Sequence, residues 1–171
     1  MIELRALTSD DWRLWRGLRL AALGEAPYAF GSTLADWQGE GDREERWRSR
    51  LEIPGAVDLV AFVDGEPAGM ASGVPGEDAE GKPDRASTEL ISMWVGPAAR
   101  GRGVGERLIR EIELWAATRG CAALKLAVMP DNERAIALYE RAGFTRTGEE
   151  GDLLADGVRR ELVLAKPVSA G

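Results

Sequence analysis

Residues 100 to 105 read Arg-Gly-Arg-Gly-Val-Gly. An apolar, strand-like run from Leu90 to Val95 precedes it, and an amphipathic, helix-like run from Val104 to Ala117 follows it. Glycines have no Cβ atom to keep an anion away from the backbone, and the first N–H groups of a helix lack partners inside the helix. The stretch therefore predicts a strand-to-helix turn that binds phosphate, with a pyrophosphate as its natural ligand.

Two common phosphate-binding motifs do not fit this turn. A nucleotide P-loop requires Lys and then Ser or Thr after its last glycine, whereas Gly105 is followed by Glu106. A dinucleotide fingerprint that began at Gly101 would require Gly or Ala at position 106 and an acidic residue about 20 residues further on, where Lys125 stands. Both interpretations are therefore rejected.

The turn resembles the acetyl-CoA motif of the GNAT superfamily of N-acetyltransferases, Arg/Gln-x-x-Gly-x-Gly/Ala, at Arg100, Gly103 and Gly105. A second element of that family, Asn-x-x-Ala-x-x-Leu-Tyr-x-x-x-Gly-Phe, appears as Asn132, Ala135, Leu138, Tyr139, Gly143 and Phe144. The close match covers residues 88 to 144, with the two motifs in the family's order. The resemblance implies that acetyl-CoA is the co-substrate and that its acetyl group passes directly to a primary amine.

The resemblance also implies a coenzyme-binding set. We expect the backbone of Met93 to Val95 to contact the thioester and the pantetheine arm, provided that this strand diverges from its neighbour as it does in the family. The glycine-rich turn would bind the pyrophosphate, with added positive charge from two arginines. The predicted coenzyme-binding residues are Met93, Trp94, Val95, Arg100, Gly101, Arg102, Gly103, Val104, Gly105 and Asn132.

Tyr139 is the predicted general acid. It lies seven residues after Asn132, which is two helical turns along one face, so both side chains can face one cleft. By family resemblance, its phenol protonates the thiolate of coenzyme A, and a phenol stays protonated at neutral pH. The alternatives are a half-buried packing role for Tyr139 and a helix-capping role for Asn132, which is compatible with binding.

Glu89 is the first candidate for the base that takes the proton of the amine. Strand alternation would place it on the same apolar face as Ile91, Met93 and Val95, where burial would raise its pKa. Some members of the GNAT superfamily carry a catalytic glutamate at the start of this strand, and others use water. A solvated strand-entry glutamate is an equal alternative, and Glu149 or Glu150 are other candidates for the base.

The composition removes several classes of site and partner. The 171-residue chain contains no histidine, which excludes Ser-His-Asp and Cys-His catalysis and histidine-ligated metal centres, so we expect no metal. The single cysteine, Cys121, excludes an internal disulfide and fits a reducing compartment, for which the cytoplasm is the default. The net charge of −7 argues against a nucleic-acid partner and suits a cationic acceptor. No apolar run is long enough to predict a membrane span.

The length predicts one domain, residues 1–166, with a short C-terminal tail at 167–171. Patterning predicts strands at Ile2–Leu7, Val57–Val63, Ala68–Val74, Glu89–Val95, Ala122–Val128, Phe144–Glu149 and Val158–Leu164, and helices near residues 12–23, 42–51, 103–119 and 132–143. Pro75–Ala86 reads as a mobile loop, and Ala26–Thr33 as a pocket wall or a packed corner. We expect an α+β, three-layer α/β/α fold: a mixed, mostly antiparallel GNAT-like sheet with helices on both faces.

The acceptor is left open by the sequence. A small molecule, a protein N-terminus, a lysine side chain and an aminoglycoside-type amine all remain candidates, because no motif covers the acceptor side. A non-catalytic acyl-CoA-binding sensor or assembly module on the same fold is the alternative function, and a longer acyl-CoA is an alternative donor. A homodimer is also open.

Overall fold

The computed structural model describes residues 1–25, 34–78, 80–154 and 156–168. The helices are Trp12–Glu25 (α1), Glu44–Arg50 (α2), Val104–Thr118 (α3) and Glu133–Arg141 (α4). The strands are Ile2–Ala6 (β1), Val57–Val63 (β2), Glu66–Glu77 (β3), Pro83–Val95 (β4), Ala123–Val128 (β5), Thr145–Leu153 (β6) and Arg160–Pro167 (β7). The predicted pocket wall at Ala26–Thr33 lies outside the described residues.

The strands form one sheet in the order β1-β2-β3-β4-β5-β7-β6. In the described part of the chain, neighbouring strands run antiparallel except β4 and β5, which are parallel. Parallel neighbours need a crossover connection, and α3 provides it. The predicted α+β fold, with a mixed and mostly antiparallel sheet between two helical layers, is confirmed.

Each face of the sheet has its own core. On one face, α3 and α4 bury apolar side chains at helical spacing, such as Leu108, Ile112 and Ile136. On the other face, α1 and α2 bury Trp15 and Trp47, which are both fully shielded from solvent. Different elements therefore cover the two faces, which are called the α3/α4 face and the α1/α2 face below.

The prediction of a loop over Pro75–Ala86 is wrong, because β3 and β4 continue as a long hairpin through this segment. Its tip is tied by the Asp78 carboxylate, which accepts the N–H groups of Glu80 at 2.9 Å and Lys82 at 3.0 Å. The strands approach so closely that a Cβ atom on Gly76 would lie 2.1 Å from the Ser87 hydroxyl. This end of the hairpin projects past the core, so its strands need no apolar residues.

The C-terminal strand β7 extends to Pro167, and the N–H of Val168 donates to the carbonyl of Ala122 at 2.9 Å. Among the described residues, no helix has the length and apolar character needed to cross a membrane.

Candidate active site

The parallel strands β4 and β5 separate after a short paired stretch. Their last paired residues are Glu89 and Lys125, although β4 continues to Val95 and β5 to Val128. Beyond that point β4 remains bonded to β3 and β5 to β7, so a gap opens between them. Main-chain groups of β4 that face this gap have no partner strand there. The divergence that the coenzyme prediction required is therefore present.

A β-bulge interrupts β4 beside this gap. Ser72 pairs with Ile91 while Met70 pairs with Trp94, so β4 uses one more residue than β3 between these pairs. Ser92 lies in the bulge and has a positive φ of 54°. The extra residue reverses the alternation of side chains along β4.

The predicted common face of Glu89, Ile91, Met93 and Val95 is therefore wrong. Leu90 packs in the α3/α4 core, and Met93 and Val95 pack against the same core after the bulge. Glu89 alternates with Leu90 and so points to the opposite face. Side chains alternate between the two faces of a sheet only along a regular strand, so the alternation predicted from sequence fails across a bulge.

The gap leads into a cavity of about 480 Å³, which is within the range of small-molecule sites. The end of β4, the glycine-rich turn and the facing sides of α3 and α4 surround it. Its lining is Met93, Trp94, Val95, Ala99, Arg100, Gly101, Gly103, Val104, Gly105, Glu106, Asn132, Arg134, Ala135, Leu138, Tyr139 and Arg141. The structure thus brings Tyr139 together with nearly all of the predicted coenzyme-binding residues, whereas Arg102 and Glu89 lie outside the lining.

The glycine-rich turn leaves the start of α3 open. Gly101 and Gly103 have φ angles of 79° and 82°, which glycine adopts without strain, and a Cβ atom on either would meet no protein atom within 4 Å. Gly103 is the N-cap of α3 and supplies no side-chain cap, so the first amides of the helix keep free donors. These amides, together with the positive end of the helix dipole, suit a phosphate group.

Gly105 has a different role from Gly103. A Cβ atom there would lie 2.9 Å from Leu138 Cδ2 and 3.4 Å from Met93 Cε. Glycine at this position therefore allows α3 to approach α4 and β4 closely. The motif thus combines a glycine that faces open space with a glycine that permits close packing.

Helix α4 supplies the other wall of the cavity. The Asn132 side-chain oxygen caps it by accepting the N–H of Ala135 at 3.3 Å. Tyr139 is only 7% exposed, and its ring meets that of Phe144 edge-on with 5.7 Å between centroids. Burial raises the pKa of the Tyr139 phenol above its ordinary value of 10.0. The phenol is therefore protonated throughout the neutral range and remains a proton donor.

Arg100 is held by a carboxylate instead of being free for a phosphate. Its Nη1 and Nη2 atoms donate to the two Glu25 oxygens at 3.1 and 2.9 Å, and its Nε donates to the Val95 carbonyl at 3.1 Å. Trp94 Nε1 donates to the same carboxylate at 3.0 Å. The hydrogen bonds from Arg100 and Trp94 hold the pKa of Glu25 below its ordinary 4.5. The positive charge that Arg100 was expected to offer to the phosphate is thus offset by the Glu25 carboxylate. Arg134 and Arg141 are further cations on the lining.

Glu89 lies at the base of the gap, at the last residue pair that joins β4 to β5. Burial raises its pKa above the ordinary 4.5, and the negative charges of Glu77 and Asp152 raise it further. The pKa of Glu89 is therefore raised, as expected. Its side chain, however, lies on the α1/α2 face of the sheet and not on the face that lines the cavity. The alternative carboxylates each have a basic partner: Glu149 lies 3.6 Å from Lys125, the cross-strand neighbour of Glu89, and Glu150 lies 3.6 Å from Arg160.

Across the described ranges, no group of three or more acidic, cysteine or histidine side chains is arranged to hold a metal ion.

A family model described as the acetyltransferase (GNAT) family matches residues 15–144. The chain belongs to the GNAT acetyltransferase family.

Among curated relatives, the uncharacterized protein ML0378 of Mycobacterium leprae is 50% identical over 60 residues, which cover 35% of this chain and 16% of that protein. The N-alpha-acetyltransferase RimI of Mycobacterium tuberculosis is 37% identical over 87 residues, or 51% of this chain and 53% of RimI. The matches thus span about half or less of these relatives. A putative acetyltransferase, YncA of Salmonella typhimurium, solved with acetyl-CoA, superposes with a TM-score of 0.75 at 20% identity, over 99% of this chain and 95% of YncA.

Several lining residues were missed by the sequence analysis. Glu106, Arg134 and Arg141 are exposed polar positions on helices, and a helical pattern gives no signal for which of them face a cavity. Ala135 and Leu138 belong to the second GNAT motif, so that motif signals them. Glu25 lies far from either motif and carries no sequence signal for its contact with Arg100.

Proposed function

We propose that this chain is an acetyl-CoA-dependent N-acetyltransferase that passes acetyl directly to a primary amine. The observation that carries the proposal is the gap between β4 and β5, which opens into a cavity lined by the start of α3 and by Tyr139. The gap offers free main-chain groups, the turn offers helix-start amides for a pyrophosphate, and the phenol offers a proton. These are the groups that thioester aminolysis requires.

The coenzyme fits the residues that are present. The amides at the start of α3 can bind the pyrophosphate, because no side chain caps them and no Cβ covers them. The Met93–Val95 backbone would contact the pantetheine arm and the thioester oxygen. Asn132 at the start of α4 would contribute beside its capping bond. That YncA was solved with acetyl-CoA supports the same ligand here.

Two side chains would move protons in this proposal. The Tyr139 phenol gives its proton to the sulfur of the departing coenzyme, and burial keeps that proton on the phenol until it is needed. Glu89 takes the proton of the amine, directly or through one water. Its raised pKa makes the carboxylate a stronger base than an exposed glutamate. The placement of Tyr139 on the cavity favours a catalyst over a binding module.

A peptide α-amine is the first acceptor to assay, because RimI of Mycobacterium tuberculosis is named as an N-alpha-acetyltransferase. A cation also suits the acidic side chains near Glu89, which include Glu77, Asp152 and Glu161.

The test is release of coenzyme A thiol from acetyl-CoA with a panel of amines and peptides. Peptides with a free N-terminus, N-blocked peptides with one lysine, and small amines separate the acceptor classes. Wild-type chain is expected to release thiol with at least one class, and Tyr139→Phe is expected to lose most of that activity. Binding of acetyl-CoA without acceptor-dependent thiol release across the panel would favour the binding module.

A further inference from the structure

A buried arginine joins α2 to three strands beneath the bulge. Arg50 Nη1 donates to Asp58 Oδ1 at 2.9 Å, and Nη2 donates to Ser72 Oγ at 3.1 Å and to Ser92 Oγ at 3.0 Å. Ser72 Oγ donates in turn to Asp58 Oδ1 at 2.6 Å. The side chains of Arg50 and Asp58 are only 14% and 3% exposed, so the network is almost closed to solvent.

Ser92 has a backbone conformation that its own residue type disfavours. Its φ of 54° is in the left-handed region, where a Cβ atom crowds the following carbonyl, and bulges of this kind usually place glycine there. Serine gives no backbone advantage at this position. Its hydroxyl, however, is the atom that Arg50 reaches in β4. The hydrogen bond therefore stabilises a conformation that the chain disfavours locally.

The bulge at Ser92 decides which groups face the coenzyme. Because it reverses the alternation of side chains, Met93 and Val95 turn to the cavity face, while the Trp94 indole reaches Glu25. A strand without the bulge would shift each of these residues to the other face. The direction of the main chain from Met93 to Val95 thus depends on the bulge.

We propose that Arg50 is a positioning residue for the acyl site: through Ser92 it holds the bulge that presents the Met93–Val95 backbone to the thioester. This inference rests on the proposed function, because it assumes that the thioester lies in the gap between β4 and β5. Neither Arg50 nor Ser92 is among the residues that line the cavity. Their effect is carried by the backbone and not by contact with the ligand.

The first test compares the dissociation constants of acetyl-CoA and coenzyme A, which differ by the acetyl group. Ser92→Ala keeps the Cβ atom but removes the acceptor for Arg50. We expect acetyl-CoA to bind about fivefold more weakly, as for one lost hydrogen bond, and coenzyme A, which keeps the pantetheine contacts but has no thioester, to weaken by a smaller factor. Circular dichroism and melting curves check that the variant is folded.

The second test uses glycine as a conformational rescue. Ser92→Gly also lacks the hydroxyl, but glycine adopts the bulge conformation without an anchor. We expect acetyl-CoA affinity to recover to within about twofold of wild type. Arg50→Lys keeps the positive charge for Asp58 but loses the fork that spans the strands. Alone, Arg50→Lys should weaken the binding of acetyl-CoA about fivefold, and in the Ser92→Gly background it should weaken binding much less. This comparison tests whether Arg50 acts through Ser92, even if Ser92→Ala does not fold.

Three results would overturn the inference. Unchanged acetyl-CoA affinity in Ser92→Ala would show that the bulge needs no anchor. Equal losses in Ser92→Ala and Ser92→Gly would mean that the hydroxyl acts on the ligand itself. A full Arg50→Lys effect in the Ser92→Gly background would mean that Arg50 acts by another route. Failure of the proposed function is distinguishable, because it would appear in the wild-type chain itself, either as no binding of acetyl-CoA or as binding without acceptor-dependent thiol release.

Discussion

Gly103→Ala separates the coenzyme role of the glycine-rich turn from its role in folding. With φ at 82°, an alanine here is strained by about 1 to 2 kcal/mol, although its Cβ meets no protein atom within 4 Å. The lower entropy of the unfolded alanine chain offsets about 0.4 to 1 kcal/mol of this. The net loss of about 1 kcal/mol corresponds to a fall in Tm of about 2 to 4 °C for a chain of this size.

The ligand effect of Gly103→Ala should exceed the folding effect. Acetyl-CoA at about 100 times its wild-type Kd adds about 2.7 kcal/mol to the stability of the wild-type chain. The new Cβ would keep the pyrophosphate away from the helix-start amides. Losing one or two charge-assisted hydrogen bonds weakens binding by about 10- to 100-fold. The same acetyl-CoA concentration would then add only about 0.4 to 1.4 kcal/mol.

Gly120→Ala is the matched control, because Gly120 lies just beyond the opposite end of α3, with φ at 75° and equally open space. It should lower Tm by a similar amount and keep the full acetyl-CoA stabilisation. Thermal denaturation of the three proteins with and without acetyl-CoA measures both effects. Full acetyl-CoA stabilisation of Gly103→Ala would refute the assignment of the pyrophosphate to this turn.

Further predictions concern the titrating side chains of Tyr139, Glu89 and Glu25. Tyr139→Phe should lower kcat by about 10² to 10⁴ with little change in the acetyl-CoA Kd, and an unchanged kcat would assign the tyrosine to packing. Glu89→Gln should lower kcat/KM at neutral pH and recover at high pH, whereas a uniform loss at every pH would contradict a base role. Because the pKa of Glu89 is raised in the folded chain, wild type should lose stability relative to Glu89→Gln as pH rises above about 4.5, as melting curves can show. Because the pKa of Glu25 is lowered in the folded chain, Glu25→Gln should be less stable than wild type at neutral pH. That difference in stability should shrink as pH falls below 4.5. A difference independent of pH would exclude the ion pair with Arg100 as its cause.

The elements that follow from local pattern were predictable from sequence. The helical spacing of Leu108 and Ile112 predicted α3, and the positive φ of Gly103 is what the motif's glycine allows. The packing role of Gly105 was not predicted, because its contact with Leu138 depends on where α4 packs. Single-sequence patterns report the conformation of a segment and not its neighbours.

The bulge and the pairing of Arg100 could not be predicted in this way. The run from Leu90 to Val95 is apolar except at Ser92, so its pattern does not mark a bulge, and the bond that anchors Ser92 comes from Arg50, 42 positions away. Glu25 lies 75 positions from Arg100. Both features depend on contacts that exist only after the two helical layers have packed on the sheet.

The most direct test of the central claim is a crystal structure of the chain with acetyl-CoA. We expect the pyrophosphate at the helix-start amides after Gly103, the thioester between β4 and β5 beside Met93 to Val95, and the Tyr139 phenol within hydrogen-bonding distance of the sulfur. Acetyl-CoA bound with its thioester outside the gap, or with Tyr139 turned away from the sulfur, would contradict that claim.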